Sequence, residues 1–200
     1  SINYPVFVKP VDSNSGKGMS ICYKPDEIKP AINYALSFSN SKKFIIDELM
    51  NCDNIFLYYT FKNGEVYLSA IADRYTSEEQ GKLSKVCLGG TYPSSYIDLY
   101  FEKLHFKIVK MFNSQNLQNG VLMISAFIKN NIFHLYDPGF RLQGEAPNLL
   151  IEAVNGFDQK KMLVNFALTG CMGVDNLKEL NKPEFNGKFA ATIWLLLKEG

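Results

Sequence analysis

The chain has little of what most catalytic devices are built from. Its 200 residues include two histidines, His105 and His134, which stand apart from each other and from any acidic or nucleophilic partner pattern. A Ser-His-Asp or Cys-His machine therefore has little material, and each histidine reads as structural or surface. The four cysteines, Cys22, Cys52, Cys87 and Cys171, contain no C-x-x-C pair. That spacing argues against a zinc site or a redox motif and for reduced thiols. No run of like charge occurs and the formal net charge is +1, which points away from nucleic acid or an anionic membrane as a partner. No apolar stretch approaches the ~20 residues that span a bilayer; the longest, Phe189 to Leu197, reads as a buried strand. A signal peptide's basic and apolar regions are missing, as are repeats and low-complexity tracts. The start, Ser1-Ile-Asn-Tyr-Pro5, lacks a methionine and enters a strand almost at once, so the chain is expected to be a piece of a longer protein.

What is present is ordinary for a globular protein: 46% hydrophobic and 20% charged residues, enough for one domain or two small lobes. Pro5 to Lys9 and Met19 to Tyr23 read as strands. Lys24-Pro-Asp-Glu27 opens a helix carrying Ile28, Ile32, Ala35 and Leu36 near helical spacing. Lys43 to Met50 is an apolar run typical of a covered sheet. A hairpin is expected across Lys62-Asn-Gly64 and another across Lys129-Asn-Asn131. Thr76 to Pro93 is polar and aperiodic, a long loop of the functional kind. One helix is expected over Tyr96 to Phe112, short helices over Leu149 to Val154 and Asp158 to Leu168, and a turn at Glu184 to Gly187 before a final strand. The architecture predicted is α+β: a β-β-α-β lobe over residues 1–50, a larger, mostly antiparallel lobe with helices over 51–200, and a hinge near Glu48 to Asp53.

Within that frame, the segment from Pro5 to Met19 carries the most chemistry. An apolar strand ends in Lys9, a fixed positive charge. The loop that follows contains Ser13, Asn14, Ser15, Gly16 and Gly18, small residues that let main-chain N–H groups approach phosphate oxygens. It is not a Walker loop, which requires G-x-x-x-x-G-K-[ST]. Read alone, a Ser/Asn/Gly-rich loop between two strands is more often a plain turn.

Further along, Ile45-Ile-Asp-Glu-Leu-Met-Asn-Cys-Asp53 brings acids to a strand end, and Tyr136-Asp-Pro-Gly-Phe-Arg-Leu-Gln-Gly144 follows a hairpin. In this order the motifs resemble the ATP-grasp superfamily over nearly the whole chain. They look most like its branch related to the carbamoyl-phosphate synthase large subunit, which includes ligases of bacterial polysaccharide clusters. Met162-Leu-Val-Asn-Phe-Ala-Leu-Thr-Gly170, Asp73-Arg-Tyr75 and Tyr92-Pro-Ser94 match that group as well.

The resemblance implies an ATP-dependent ligase, cytoplasmic, that activates a carboxylate as an acyl phosphate for an amine or similar nucleophile, with ATP and Mg²⁺ as cofactors. It implies that Lys9 contacts the α- and β-phosphates and that Ser13, Asn14, Ser15, Gly16 and Gly18 form a flap over the β- and γ-phosphates. Glu48, Leu49 and Met50 line the adenine, and Asp53 meets the ribose. Asp137 is the implied Mg²⁺ ligand, and Arg141 stabilises the transferring phosphoryl group. The resemblance also implies an N-terminal domain that this chain lacks. Two departures stand out. Twelve residues before Asp137, where a metal-binding acid is usual, stands Ser125, and the usual Glu-x-Asn becomes Asp137-Pro-Gly139. Glu145 is a replacement ligand in reach of the sequence. An ATP-binding pseudoenzyme and a non-catalytic interaction domain therefore remain open as alternatives. Nucleotide and small-molecule carboxylate or amine substrates are the expected partners, and the oligomeric state is not legible.

Overall fold

The computed structural model describes residues 3–14, 16–77 and 87–195. They separate into two compact units: the first runs to Asn51, and the second takes Cys52–Tyr75 and resumes at Cys87.

The first unit holds three strands, β1 (Val6–Pro10), β2 (Ser20–Cys22) and β3 (Phe44–Glu48), and one helix, α1 (Ile28–Ser37). The sheet order is β2-β1-β3 and both pairings are antiparallel. Pro25 opens a single 3₁₀ turn before α1, with Asp26 and Glu27 where the helix dipole favours acids. Glu27 also accepts from the Tyr23 N–H at 2.7 Å. Ala31 and Ala35, four apart on one helix face, are buried against Val6, Val8 and Cys22. The helix covers one face of this sheet. β3 is accordingly not the covered strand its composition suggests: Phe44 and Ile45 each keep 39% of their surface exposed. The apolar run signalled burial on both faces, and the unit supplies a helix for one.

The second unit is a six-stranded sheet, order β8-β7-β4-β5-β6-β9, formed by β4 (Asp53–Lys62), β5 (Glu65–Thr76), β6 (Cys87–Tyr92), β7 (Gly120–Lys129), β8 (Ile132–Gly139) and β9 (Ala190–Ile193). The β4/β5, β4/β7, β7/β8 and β6/β9 pairs are antiparallel. Both expected hairpins form. Asn63 and Gly64 turn at φ 51° and 83°, and Asn130 and Asn131 at 52° and 59°, the paired left-handed conformations that match strand twist.

Alternation along β4 splits the core in two. Ile55, Leu57, Tyr59 and Phe61 pack with Tyr100, Ile108 and Phe112 of α2 (Ile97–Lys103) and α3 (His105–Ser114). Phe56 and Tyr58 face the other way, toward Ile151, Met162 and Leu177 of α4 (Pro147–Asn155), α5 (Gln159–Thr169) and α6 (Leu177–Leu180). A bulge at Ser69, between the pairs Tyr58↔Ala70 and Tyr59↔Leu68, keeps both alternations in phase. Its hydroxyl pairs with Thr60 at 2.7 Å, and Gln159 donates to Thr60 at 2.8 Å, so the polar atoms buried under α5 are matched.

Three expectations in this unit are corrected. The helix expected over Tyr96 to Phe112 bends into α2 and α3 at Leu104 (φ −122°). The hydrogen bonds Leu104 N–H to Tyr100 O (2.9 Å) and Ile108 N–H to Leu104 O (3.0 Å) continue through the bend, and neither Gly nor Pro marks it in the sequence. The loop expected over Thr76 to Pro93 contains β6, while residues 78–86 lie outside the described residues. Gly89 and Gly90 read as loop punctuation but serve close strand pairing: a Cβ on Gly89 would overlap the Thr192 carbonyl oxygen. Finally, the terminal strand β9 lies at the sheet edge among the described residues and is not buried, with Ile193 77% exposed.

Candidate nucleotide site

The first unit positions Lys9. In the β1–β3 register Phe7 faces Asp47 and Lys9 faces Ile45, so these four side chains share the sheet face opposite α1. The Lys9 ammonium lies 2.8 Å from Asp47 and 5.9 Å from the centre of the Phe7 ring. An ion pair this exposed is worth about 0.2–1 kcal/mol, a partnership that a polyphosphate can outcompete.

Beyond β1 the chain is tied down at Asp12, whose carboxylate accepts from the Ser41 N–H at 2.8 Å. Hydrogen bonds from Ser39 and from the Ser41 main chain hold the Asp12 carboxyl below its usual range. Ser13 is half-buried and Asn14 exposed, and Lys17 N–H closes a turn onto Asn14 O at 3.1 Å. Gly16 and Gly18 adopt φ 77° and 75°. Gly18 is buried, and a Cβ there would come within 2.8 Å of Phe38 Cβ. Ser15 lies outside the described residues. At the other end of the sheet Glu48 is exposed and pairs across from Val6, Leu49 and Met50 are half-buried, and the Leu49 N–H is engaged by Pro5 O at 3.3 Å.

In the second unit Asp53 opens β4 and accepts a short hydrogen bond from the Tyr96 hydroxyl. That bond to Asp53, with burial and the carboxylate's field, pushes the Tyr96 phenol up to about 12. Asp53 therefore sits on the α2 side of the sheet. Ser125 and Tyr136 sit on the other. Ser125 is buried and pairs with both Phe56 and Tyr136. Tyr136 accepts from Asn54 Nδ2 at 2.6 Å and stacks on Phe127 at 4.5 Å.

The hairpin register places Tyr136, and not Asp137, across from Ser125. The pairs Ser125↔Tyr136 and Met123↔Gly139 leave Asp137 and Pro138 facing Ile124 together, so a bulge shifts the register by one residue. Asp137 sits in it at φ 50°, with its side chain exposed. Among the described residues no group of three or more His, Cys, Asp or Glu could hold a metal. Arg141 is exposed; its N–H bonds Gly139 O at 2.9 Å and its guanidinium bonds Leu142 O at 3.0 Å. Phe140 anchors this turn against Phe61 (5.9 Å) and fills the space where Gly120 would carry a Cβ.

Two motifs that carried the resemblance serve the fold. Asp73 receives hydrogen bonds from Ser94 Oγ and from Ser95 N–H (3.0 Å), which ties the end of β5 to the turn ahead of α2. Met162 to Gly170 is most of α5 and its cap, with Gly170 at φ 75°. Reasoning from the sequence missed Asn54, Tyr96 and the positioning role of Tyr136. Asn54 was signalled by a polar residue sharing strand parity with Phe56 and Tyr58.

The family profile described as D-ala D-ala ligase C-terminus matches residues 1–77. An L-amino acid ligase from Bacillus licheniformis superimposes on 100% of this chain and 46% of its own, with a TM-score of 0.73 at 11% identity. The chain has the ATP-grasp fold. The same fold is seen in the biotin carboxylase domain of the Hydrogenobacter thermophilus 2-oxoglutarate carboxylase, solved with MgADP and bicarbonate. That match has a TM-score of 0.65 and 17% identity over 84% of this chain and 37% of the other. A formate-dependent phosphoribosylglycinamide formyltransferase from Synechococcus elongatus is 44% identical over 52 residues, 25% of this chain and 13% of that protein. The chain thus spans less than half the length of each of these proteins.

Proposed function

We propose that the chain is the nucleotide-binding portion of an ATP-dependent ligase that joins a carboxylate to an amine or similar nucleophile. The observation that carries this reading is the end of β1. Lys9 lies on the sheet face opposite α1, and the loop after it is tied at Asp12 and turned by two glycines at positive φ. A loop of that kind presents main-chain N–H groups to phosphate oxygens.

In this reading residues 1–50 are the small lobe and 51–200 the large lobe. Lys9 neutralises the α- and β-phosphates, and Ser13, Asn14, Ser15, Gly16 and Gly18 lie over the β- and γ-phosphates. Glu48, Leu49 and Met50 line the adenine, and Asp53 exchanges its Tyr96 partner for ribose hydroxyls. Arg141 breaks its bond to Leu142 to stabilise the transferring phosphoryl group. The carboxylate oxygen bonds to the γ-phosphorus as the bond to ADP breaks, and the nucleophile then displaces phosphate and loses its proton. The protein acts by positioning and charge neutralisation.

Mg²⁺ is bound in proteins through one or two carboxylates together with substrate phosphates. Exposed Asp137 can supply one such carboxylate, and Glu145 is the nearest acid in sequence beyond it. The donor set fits a magnesium ion that arrives with the nucleotide and does not fit one held by protein alone. When bound, the ion would neutralise phosphate charge. A cytoplasmic location and the carbamoyl-phosphate-synthase-like branch, with its polysaccharide context, belong to the same proposal and rest on the motifs around Asp137 and Met162.

A second reading, an ATP-binding pseudoenzyme, is favoured by Ser125, buried and paired with Tyr136 where an acid is usual. Mg²⁺-dependent ADP release across a panel of carboxylates and amines decides between them. The ligase reading expects turnover, reduced about 100-fold or more by Lys9→Ala or Asp137→Asn. ATP binding with no turnover across the panel favours the second reading. Calorimetry with no ATP or ADP binding, with or without Mg²⁺, sinks both and leaves a non-catalytic interaction domain.

A further inference from the structure

Beyond the groups assigned to nucleotide, one cation stands where a purely structural role explains it poorly. Arg74 follows Ala70 and Ala72 at alternate positions of β5, on the sheet face whose core holds Phe56, Tyr58 and Tyr92. A charge at that parity, next to two fully buried alanines, is costly without partners. The guanidinium carbon lies over the Phe56 ring, 4.7 Å from its centre, within cation–π range. Its Nε is buried and has no hydrogen-bond partner among the described residues. An unmet buried donor costs about 1–3 kcal/mol. Burial works against the charge of Arg74, while a hydrogen bond to Cys87 and the fields of Tyr136, Cys87 and Glu145 outweigh it.

The neighbouring groups on this face are polar and incompletely matched as well. Asn54 donates to the Tyr136 hydroxyl at 2.6 Å, which leaves the phenol's own proton to be donated elsewhere. Asn54 Oδ1 is buried and lacks a partner among the described residues. Ser125 pairs with Phe56 on one side and Tyr136 on the other, so its hydroxyl shares their face. A planar fork with an unmatched Nε–H, backed by hydroxyl groups, is an arrangement that recognises a planar or tetrahedral oxyanion; a lysine lacks the fork.

We infer that Arg74, with Tyr136 and Ser125, forms an oxyanion site on this sheet face that takes a carboxylate or a phosphoryl group. The site lies wholly within the second unit and does not depend on the nucleotide reading of the first. The ligand shifts Arg74 enough to meet its Nε–H and brings the Tyr136 proton onto the same anion.

The chain contains two arginines, Arg74 and Arg141, so the ¹⁵Nε–Hε region of an NMR spectrum shows two signals, assigned by Arg74→Lys. Titrations use sodium acetate, inorganic phosphate, ADP and a non-hydrolysable ATP analogue, the nucleotides with Mg²⁺. The expected result is a shift and slowed solvent exchange of the Arg74 signal with acetate or phosphate, and about tenfold weaker binding of that probe in Arg74→Lys. Tyr136→Phe, which keeps the ring stack on Phe127, weakens it several-fold and serves if Arg74→Lys is unfolded by circular dichroism. A response to acetate alone assigns a substrate carboxylate. A response to phosphate and the ATP analogue but not acetate assigns a phosphoryl group. An Arg74 signal unmoved by all four probes overturns the inference, as does equal affinity in the folded Arg74→Lys or Tyr136→Phe protein. Failure of the nucleotide reading is seen separately: ADP and the ATP analogue then leave the Lys9, Gly16 and Gly18 amides unmoved.

Discussion

Gly18 is the position where the loop after β1 tolerates least. It sits at φ 75°, and an added Cβ would lie 2.8 Å from Phe38 Cβ and 3.1 Å from Pro10 Cγ. Gly18→Ala therefore incurs two costs. Holding an L-residue in the left-handed region costs about 1–2 kcal/mol, and overpacking against two neighbours adds about 1–3 kcal/mol. Phe38 is partly exposed and follows the last turn of α1, so it can retreat and relieve some of the second cost but none of the first. A net loss of about 2–4 kcal/mol is expected, confined to the unit that holds β1, β2 and α1. Hydrogen exchange read by mass spectrometry gives local stability without assuming that both units unfold together. Amides of Val6–Pro10 and Ile28–Ser37 should exchange about 30- to 1000-fold faster, while those of Gly120–Lys129 keep their rates. The control is Gly144→Ala, where a Cβ meets nothing within 4 Å. Unchanged exchange in β1 and α1 of Gly18→Ala, or an equal effect in the control, would refute the reasoning.

Other consequences are open to single measurements. Gly89→Ala forces a Cβ into the Thr192 carbonyl, so β9 should detach from β6 and the emission of Trp194, whose main-chain N–H bonds Leu88 O at 2.8 Å, should shift to the red; unchanged emission contradicts the pairing. His105 is partly buried beside Tyr100, and burial lowers its pKa below the ordinary 6.5. The unfolded chain then binds the proton more readily, so this contribution is complete above about pH 6.5 and is lost as the pH falls through the folded-state value. Thermal melts between pH 7.5 and about 5 should show a steeper decline for the wild type than for His105→Gln, and identical slopes would remove the effect.

Much of the architecture was legible because strand and hairpin signals are local. Asn63-Gly64 and Asn130-Asn131 marked both turns, whereas the near-continuous apolar runs of β4 and β7 left the two halves of the core to be told apart by the structure. The α+β class with antiparallel sheets stands. What was not legible depended on tertiary neighbours. The bend at Leu104 carries no Gly or Pro. The glycines of β6 look like a loop until β9 is seen beside them. Among the described residues, the apolar runs of β3 and the terminal strand lack the second covering layer that their composition suggested. At the candidate site, the loop from Asp12 to Gly18 was readable because small residues and a strand-end lysine are themselves the signal. The bulge at Asp137 was not, since one inserted residue changes every pairing beyond it without altering composition. Tyr96 gripping Asp53 was hidden because those residues meet only through the packing of α2 on the sheet.

The placement of β5 and β6 side by side has a consequence for how this chain can diversify. Ten residues separate Thr76 from Cys87, yet the strands they belong to are neighbours in one sheet. The two ends of the connection are thus fixed by the ladder and by the Asp73 bonds to Ser94 and Ser95. By loop-closure entropy, doubling the number of residues between two fixed strand ends costs only about 0.6 kcal/mol. Insertions, deletions and recomposition between these strands can accumulate while the sheet keeps its register. Related chains can therefore differ most in the segment between Thr76 and Cys87 while sharing the frame that holds Arg74 and Asp137.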